Sequence, residues 1–216
     1  TFGKLSPAII PIYDFPDIWQ NLTYFAGFFQ FIMAFIVIIF ITNEYSYRTI
    51  RQNVIDGLSK KQFLMAKLIF IFLLCLINTL VLAITGLILG LLYSSVTEFS
   101  FILDNAEFIL AYGFALYIYA LFAFLIGMLF KRSGVAIILF AIYTLFAEPF
   151  IALILQNHPS IPDFYEHLTN FFPMEAINNL IHNPLPRYIL REIQDYIAWG
   201  ELGVLMGYFI IFLLLI

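Results

Sequence analysis

The chain has 216 residues, of which 63% are hydrophobic, 19% aromatic and only 11% charged, with 10 basic and 14 acidic side chains and a net charge of −4. A soluble domain carries roughly 25% charged residues, so a water-soluble fold is excluded. The apolar residues fall in runs near the roughly 20 that cross a bilayer as helix, without the alternation of a barrel strand, and the expected fold is all-α, a polytopic helical membrane protein.

In chain order, Pro7, Pro11 and Pro16 give residues 1–21 the character of an extended loop. Five apolar spans are expected at 22–42, 68–92, 108–130, 135–155 and 202–216. Between the first two lies "TNEYSYRTIRQNVIDGLSKKQFLMAK", whose Arg48, Arg51, Lys60, Lys61 and Lys67 are half of the 10 basic residues. Tyr47, Ile50, Val54, Ile55 and Leu58 recur there at helical spacing, with Arg48, Arg51, Gln52, Asn53 and Asp56 at the other positions. Gly57 suits the left-handed position that closes a helix, and Ser59 with Gln62 has the form of a capping box that starts the next. The segment 43–67 therefore reads as a short amphipathic helix on the membrane surface, turned sharply into the second span. A lipid-facing linker, with basic residues drawn to anionic headgroups at about 1 kcal/mol each, is one reading. Contact with another protein is the other, favoured by Gln52, Asn53 and Asp56 interrupting the basic face. Glu44 is expected to pair with a nearby Arg or Lys, Arg48 being the local partner.

Cys75, the single cysteine, excludes an intrachain disulfide. Gly86 and Gly90 form a G-x-x-x-G, and Ala123 with Gly127 repeats the small-residue spacing, both read as internal packing; Tyr112, Tyr117, Tyr119 and Tyr143 read likewise. Lys131 and Arg132 link the third and fourth spans and join the basic residues of 43–67 on one side, which is cytoplasmic. Glu98, Asp104, Glu107 and the acids of 156–201 then lie outside. Parity places residues 1–21 outside too, which implies a sixth span ahead of Thr1. Glu148 and Pro149 sit in the fourth run. One reading is an intramembrane carboxylate marking an ion or proton path, with Pro149 freeing a carbonyl to line a cavity; the favoured one is that the span ends there, with 149–155 re-entering from outside and Glu148 near external water. In the external segment 156–201, His158, His167 and His182 show no metal-ligand spacing. Ile189, Ile193, Tyr196 and Ile197 predict a surface helix, and Trp199 marks the interface before the last span. Asn21 opens a glycosylation sequon too short to carry weight.

"NEYSYRTIRQNVIDGLSKKQFLMAK" resembles the segment after the second span in permease subunits of ABC exporters of the second class, which export drugs, polysaccharides and lipids. Glu44, Thr49, Arg51, Gly57, Ser59 and Lys67 match its pattern; Arg48 stands where Gly is common, and Lys60 replaces an Arg. "LFKRSGVAI" and "FFPMEAINNLIHNP" resemble members from Bacteroidetes-type bacteria. The resemblance implies a coupling helix docked in a separate ATP-binding subunit, through Glu44, Tyr47, Arg48, Thr49, Ile50, Arg51, Val54, Gly57, Ser59, Lys60 and Lys67. It implies an exit gate near Glu148 and Pro149, a homodimer or heterodimer of permeases, and a bacterial inner membrane location. No G-x-x-x-x-G-K-[ST] occurs, so the chain cannot cradle nucleotide by a P-loop. No cofactor is expected on it, no enzymatic activity of its own, and no nucleic-acid partner. A secondary transporter is the alternative, against which no internal repeat is found.

Overall fold

The computed structural model describes residues 12–49, 52, 55, 57, 59–95, 98–157, 168–186 and 196–216. Ile50, Arg51, Asn53, Val54, Asp56, Leu58, His158, His167, Ile189 and Ile193, all invoked above, lie outside the described residues, as do 1–11. Among the described residues the chain is helical: α1 (Ile18–Gly27), α2 (Gln30–Ser46), α3 (Lys60–Tyr93), a short α4 (Phe99–Leu103), α5 (Glu107–Phe130), α6 (Ser133–Ile142), a π-helical turn (Tyr143–Ala147), α7 (Glu148–Asn157), a 3₁₀ turn (Thr169–Phe171), α8 (Pro173–Asn179) and α9 (Trp199–Leu215). Three helical stretches are long and apolar enough to cross a bilayer: Lys60–Tyr93, Phe99–Phe130 and Ser133–Leu155. The pair α1 and α2 makes a fourth if taken as one bent span, and α9 adds a shorter apolar helix of 17 residues.

The bundle is organised around α5, which belongs to the most buried of the three spanning stretches and packs against α2, α3, α9, α6 and α1. Small residues make this centre dense. Ala115, Ala120, Ala123 and Gly127 lie on buried faces of α5, and a Cβ at Gly127 would run into the Ile41 side chain of α2. The G-x-x-x-G of α3 works the same way inside the chain. A Cβ at Gly86 would stand 2.7 Å from Trp19 Cζ3, and one at Gly90 would overlap the Phe15 ring. Those glycines are seats for two aromatic side chains, which is why Phe15 and Trp19 are almost fully buried.

Helix α1 begins at Ile18, ahead of the expected span start, and the stretch before it is pinned rather than loose. Phe15 N donates to Ser94 Oγ at 3.1 Å, Ser95 N to Asp14 Oδ1 at 2.8 Å, and Trp19 Nε1 to Ile102 O at 2.8 Å. The single first span expected over 22–42 is in fact broken. Between α1 and α2 the backbone tightens, with Phe28 N donating to Phe25 O and Phe29 N to Ala26 O, and the axis bends by 46°.

A second correction concerns Pro149, where the fourth span was expected to end. The helix runs through it. Pro lacks an N–H and its ring crowds the carbonyl four residues back. The π turn over Tyr143–Ala147, with Glu148 N donating to Tyr143 O, supplies the wider register that absorbs both defects.

Helix α3 has 34 residues, about 50 Å at 1.5 Å per residue, against a hydrocarbon core of about 30 Å. It therefore outruns the bilayer. Its Lys60–Lys67 turns precede the apolar run and carry the connection from α2 away from the hydrocarbon.

Candidate functional site

The end of the bundle where α2 finishes and α3 starts gathers the residues singled out in the sequence. Helix α2 stops at Ser46, and Arg48 then takes φ 57°, a left-handed conformation that disfavours any side chain but Gly. That explains physically why Gly suits this position in the resembling pattern. The reversal brings Thr49 back under Glu44, where its hydroxyl donates to the Glu44 carboxylate and also lies 3.3 Å from Glu44 O.

The partner of Glu44 is Lys67, not Arg48. The two form an ion pair with side chains only 13% and 16% exposed. Arg48 follows the end of α2 and is out of the i, i+4 register, whereas the first turns of α3 run beside the last turns of α2. The Lys67 ammonium also sits 4.1 Å from the Phe40 ring centroid and 5.1 Å from that of Phe63, and Phe40 stacks on Phe70 at 4.5 Å. Each such cation–π contact adds about 0.5–1 kcal/mol. Phe40 and Phe63 were not legible as site residues, because aromatic residues are common in this chain and nothing in their spacing separates them from packing.

Between this clamp and α3 the chain turns through Gly57, at φ 94°, into Ser59. The Ser59 Oγ accepts from Gln62 N at 3.2 Å, and Gln62 Oε1 accepts from Ser59 N at 2.9 Å, so the expected capping box is present. Tyr47, Arg48, Thr49, Ile55, Gly57, Ser59 and Lys60 are all exposed, Tyr47 at 76% and Ile55 at 80%. At the same end Lys131, itself left-handed at φ 54° in the tight link after α5, lies 5.6 Å from the Tyr45 ring centroid. Chemically this is a stiff joint: one carboxylate ties the end of α2, the reversal after it and the start of α3.

Glu148 is placed differently from expectation. It is 2% exposed, and its Oε1 accepts from Met174 N at 2.6 Å and Glu175 N at 2.9 Å, with the Tyr143 hydroxyl alongside. These amides are the first free donors of α8, a helix that begins with Pro173 and that was not foreseen. Proline at a first helical position is its one sequence signal. A carboxylate on such amides is stabilising, so Glu148 ties the π-turn helix to the start of α8. Replacing Glu148 with Leu is expected to speed amide hydrogen exchange at Met174 and Glu175 at least about tenfold, since charge-assisted bonds contribute about 1.5–3 kcal/mol. Glu148→Gln should lie between; wild-type exchange in Glu148→Leu would show that α8 holds its start unaided. Nearby, His182 Nε2 lies 3.2 Å from Glu201 Oε1, and Tyr208 donates to Phe171 O. Trp199 opens α9 and is 86% exposed.

Among the described residues, no group of His, Cys, Asp or Glu is placed to hold a metal. Comparison with curated proteins and with solved structures gives no match to the chain. The sequence profile of one family does match, over residues 18–216. With apolar helices of spanning length and a match over most of its length, the chain belongs to the ABC-2 family transporter proteins and is a multi-pass membrane permease subunit of an ABC transporter.

Proposed function

We propose that this permease is the membrane part of an ATP-driven exporter in a bacterial inner membrane, and that a separate ATP-binding chain grips the segment from Tyr47 to Lys60. The observation that carries the proposal is the Glu44 clamp. A docked helix transmits motion only through a stiff joint, because a slack loop absorbs the displacement. Glu44, Thr49 and Lys67 stiffen one side of the segment, and the Gly57 turn with the Ser59–Gln62 box stiffens the other. Lys60–Lys67 add two helical turns, about 10 Å, which lower the segment toward a cytoplasmic partner.

In this reading Tyr47, Ile50, Val54 and Ile55 form the apolar contact, and Arg48, Arg51 and Lys60 its basic rim. Two permease chains, identical or related, enclose the pathway. ATP-driven closure of the partner chains shifts it between inward and outward access. Glu148 and Pro149 belong to the exit side, where the tether to α8 joins a spanning helix to the external segment. The permease carries no cofactor of its own; the nucleotide belongs to the partner.

A P-loop ATPase is expected to copurify with the wild-type protein and to be lost when Ile50 or Val54 becomes Asp. A charge placed in the apolar centre of an interface costs several kcal/mol, enough to lower binding at least a hundredfold. Undiminished recovery of the ATPase with both variants would reject the docking face.

A further inference from the structure

Two helix irregularities that periodicity does not announce meet at one cavity. The bend between α1 and α2 contributes Gly27, Phe28 and Gln30 to its wall, and the π turn contributes Thr144 and Leu145. The chain after Met174 supplies Asn178, Asn179 and Asn183. The volume is about 480 Å³, inside the range of small-molecule sites. Irregular backbone at membrane depth persists where it is enclosed by protein or lines a cavity, and π turns recur at functional sites. Here two of them serve the same space.

The lining chemistry is selective. Among the described residues it is lined by no Asp, Glu, Lys or Arg, and the Nε2 of His182, which also lines it, is engaged by Glu201 at 3.2 Å. An ion of either sign would enter without a counter-charge and lose its hydration. The polar groups are instead the carboxamides of Gln30, Asn178, Asn179 and Asn183, each both donor and acceptor. The buried Tyr119 hydroxyl stands beside Thr144, whose own hydroxyl donates to Phe140 O at 2.9 Å, and among the described residues it makes no hydrogen bond of standard geometry. Tyr24, Phe28 and Phe31 add aromatic faces. Carboxamides, which donate through nitrogen and accept through oxygen, set against aromatic faces, match hydroxyls carried on a compact C–H framework.

We propose that this cavity binds a neutral, hydroxyl-rich group of the sugar class, entering from the outer end of the bundle. The site lies apart from the Glu44 clamp, and its assignment stands without the docking reading. A free sugar and a sugar headgroup on a lipid share this chemistry.

The test uses the full-length protein in nanodiscs, photolabelled with an azide-bearing alkyl glucoside and mapped by mass spectrometry. Saturable labelling is expected on peptides spanning residues 24–31 or 174–183. Methyl glucoside should compete if the sugar alone suffices, and unlabelled alkyl glucoside alone should compete if the chain is needed; each result supports the site. An alkyl phosphocholine of equal chain length should not compete. Asn178 is exposed, so Asn178→Leu keeps the fold and should weaken labelling about tenfold. Leu145→Trp, filling the space from an exposed position, should abolish it. Equal competition by the phosphocholine, labelling that survives Leu145→Trp, or labelling spread along the exposed face of α3 would each overturn the proposal.

Discussion

Lys67→Met is expected to lower the melting temperature of the protein in nanodiscs and to free the connection after α2, while a P-loop partner remains bound. Methionine keeps the packing on Phe40 and Phe63 but leaves Glu44 facing Thr49 alone. Stripping one partner from a shielded pair costs about 3 kcal/mol, a fall of roughly 6–12 °C for a chain of this size. Exchange of the Arg48 and Thr49 amides should rise with it. Exchanging the two residues, Glu44→Lys with Lys67→Glu, should recover part of the loss, whereas either change alone should not. Equal stability of Lys67→Met and wild type would mean that the ion pair holds nothing together.

Gly127→Val is expected to be the most damaging substitution in the bundle centre. A Cβ at this position already overlaps Ile41 Cγ2, a branch next to the backbone that χ1 holds stiffly, and stands in contact with Ile38 Cα at 3.5 Å and Ile38 O at 3.6 Å, so little room is left for the added methyls. Overpacking of this kind costs about 1–3 kcal/mol, and α2 must back away from α5 to accept it, carrying the Glu44 end of α2 along. Gly134 offers the control, because nothing lies within 4 Å of a Cβ there. Gly134→Ala should leave thermal unfolding unchanged. If Gly127→Val melts like Gly134→Ala, α2 and α5 do not meet as described.

What was legible in the sequence is what local chemistry decides. Gly57 in a left-handed turn, the Ser59–Gln62 box and the apolar stretches of α3, α5 and α9 depend on neighbours a few residues away, and the structure has them. Gly86, Gly90 and Gly127 were readable as close-packing positions, though not their occupants, Trp19, Phe15 and Ile41, which arrive from distant parts of the chain. The misread features depend on tertiary context or on local backbone irregularities that apolar composition does not mark. Lys67 reaches Glu44 across 23 positions, so a search of the nearest helical turn selects Arg48 instead. Pro149 signals a break only while the turn before it is α-helical; the π turn removes that conflict, and apolar composition gives no sign of it. The bend after Gly27 replaces one span by two helices because backbone bonds tighten locally, in a stretch whose side chains read as continuous apolar helix. Helix α8 lies in a segment placed by its charge, where a helix was expected only near Ile197, and its anchor, Glu148, lies 26 positions from Met174.

The central claim is that residues 47–58 form an inner-face lever held by an ATP-binding chain. The most direct measurement places a photoreactive benzoylphenylalanine at Val54 in native membranes and identifies what it captures on irradiation. A covalent adduct with a P-loop ATPase, formed in closed inner-membrane vesicles of either nucleotide state, is the predicted result. Capture of lipid alone, or of a protein facing the outer side of the membrane, would contradict it.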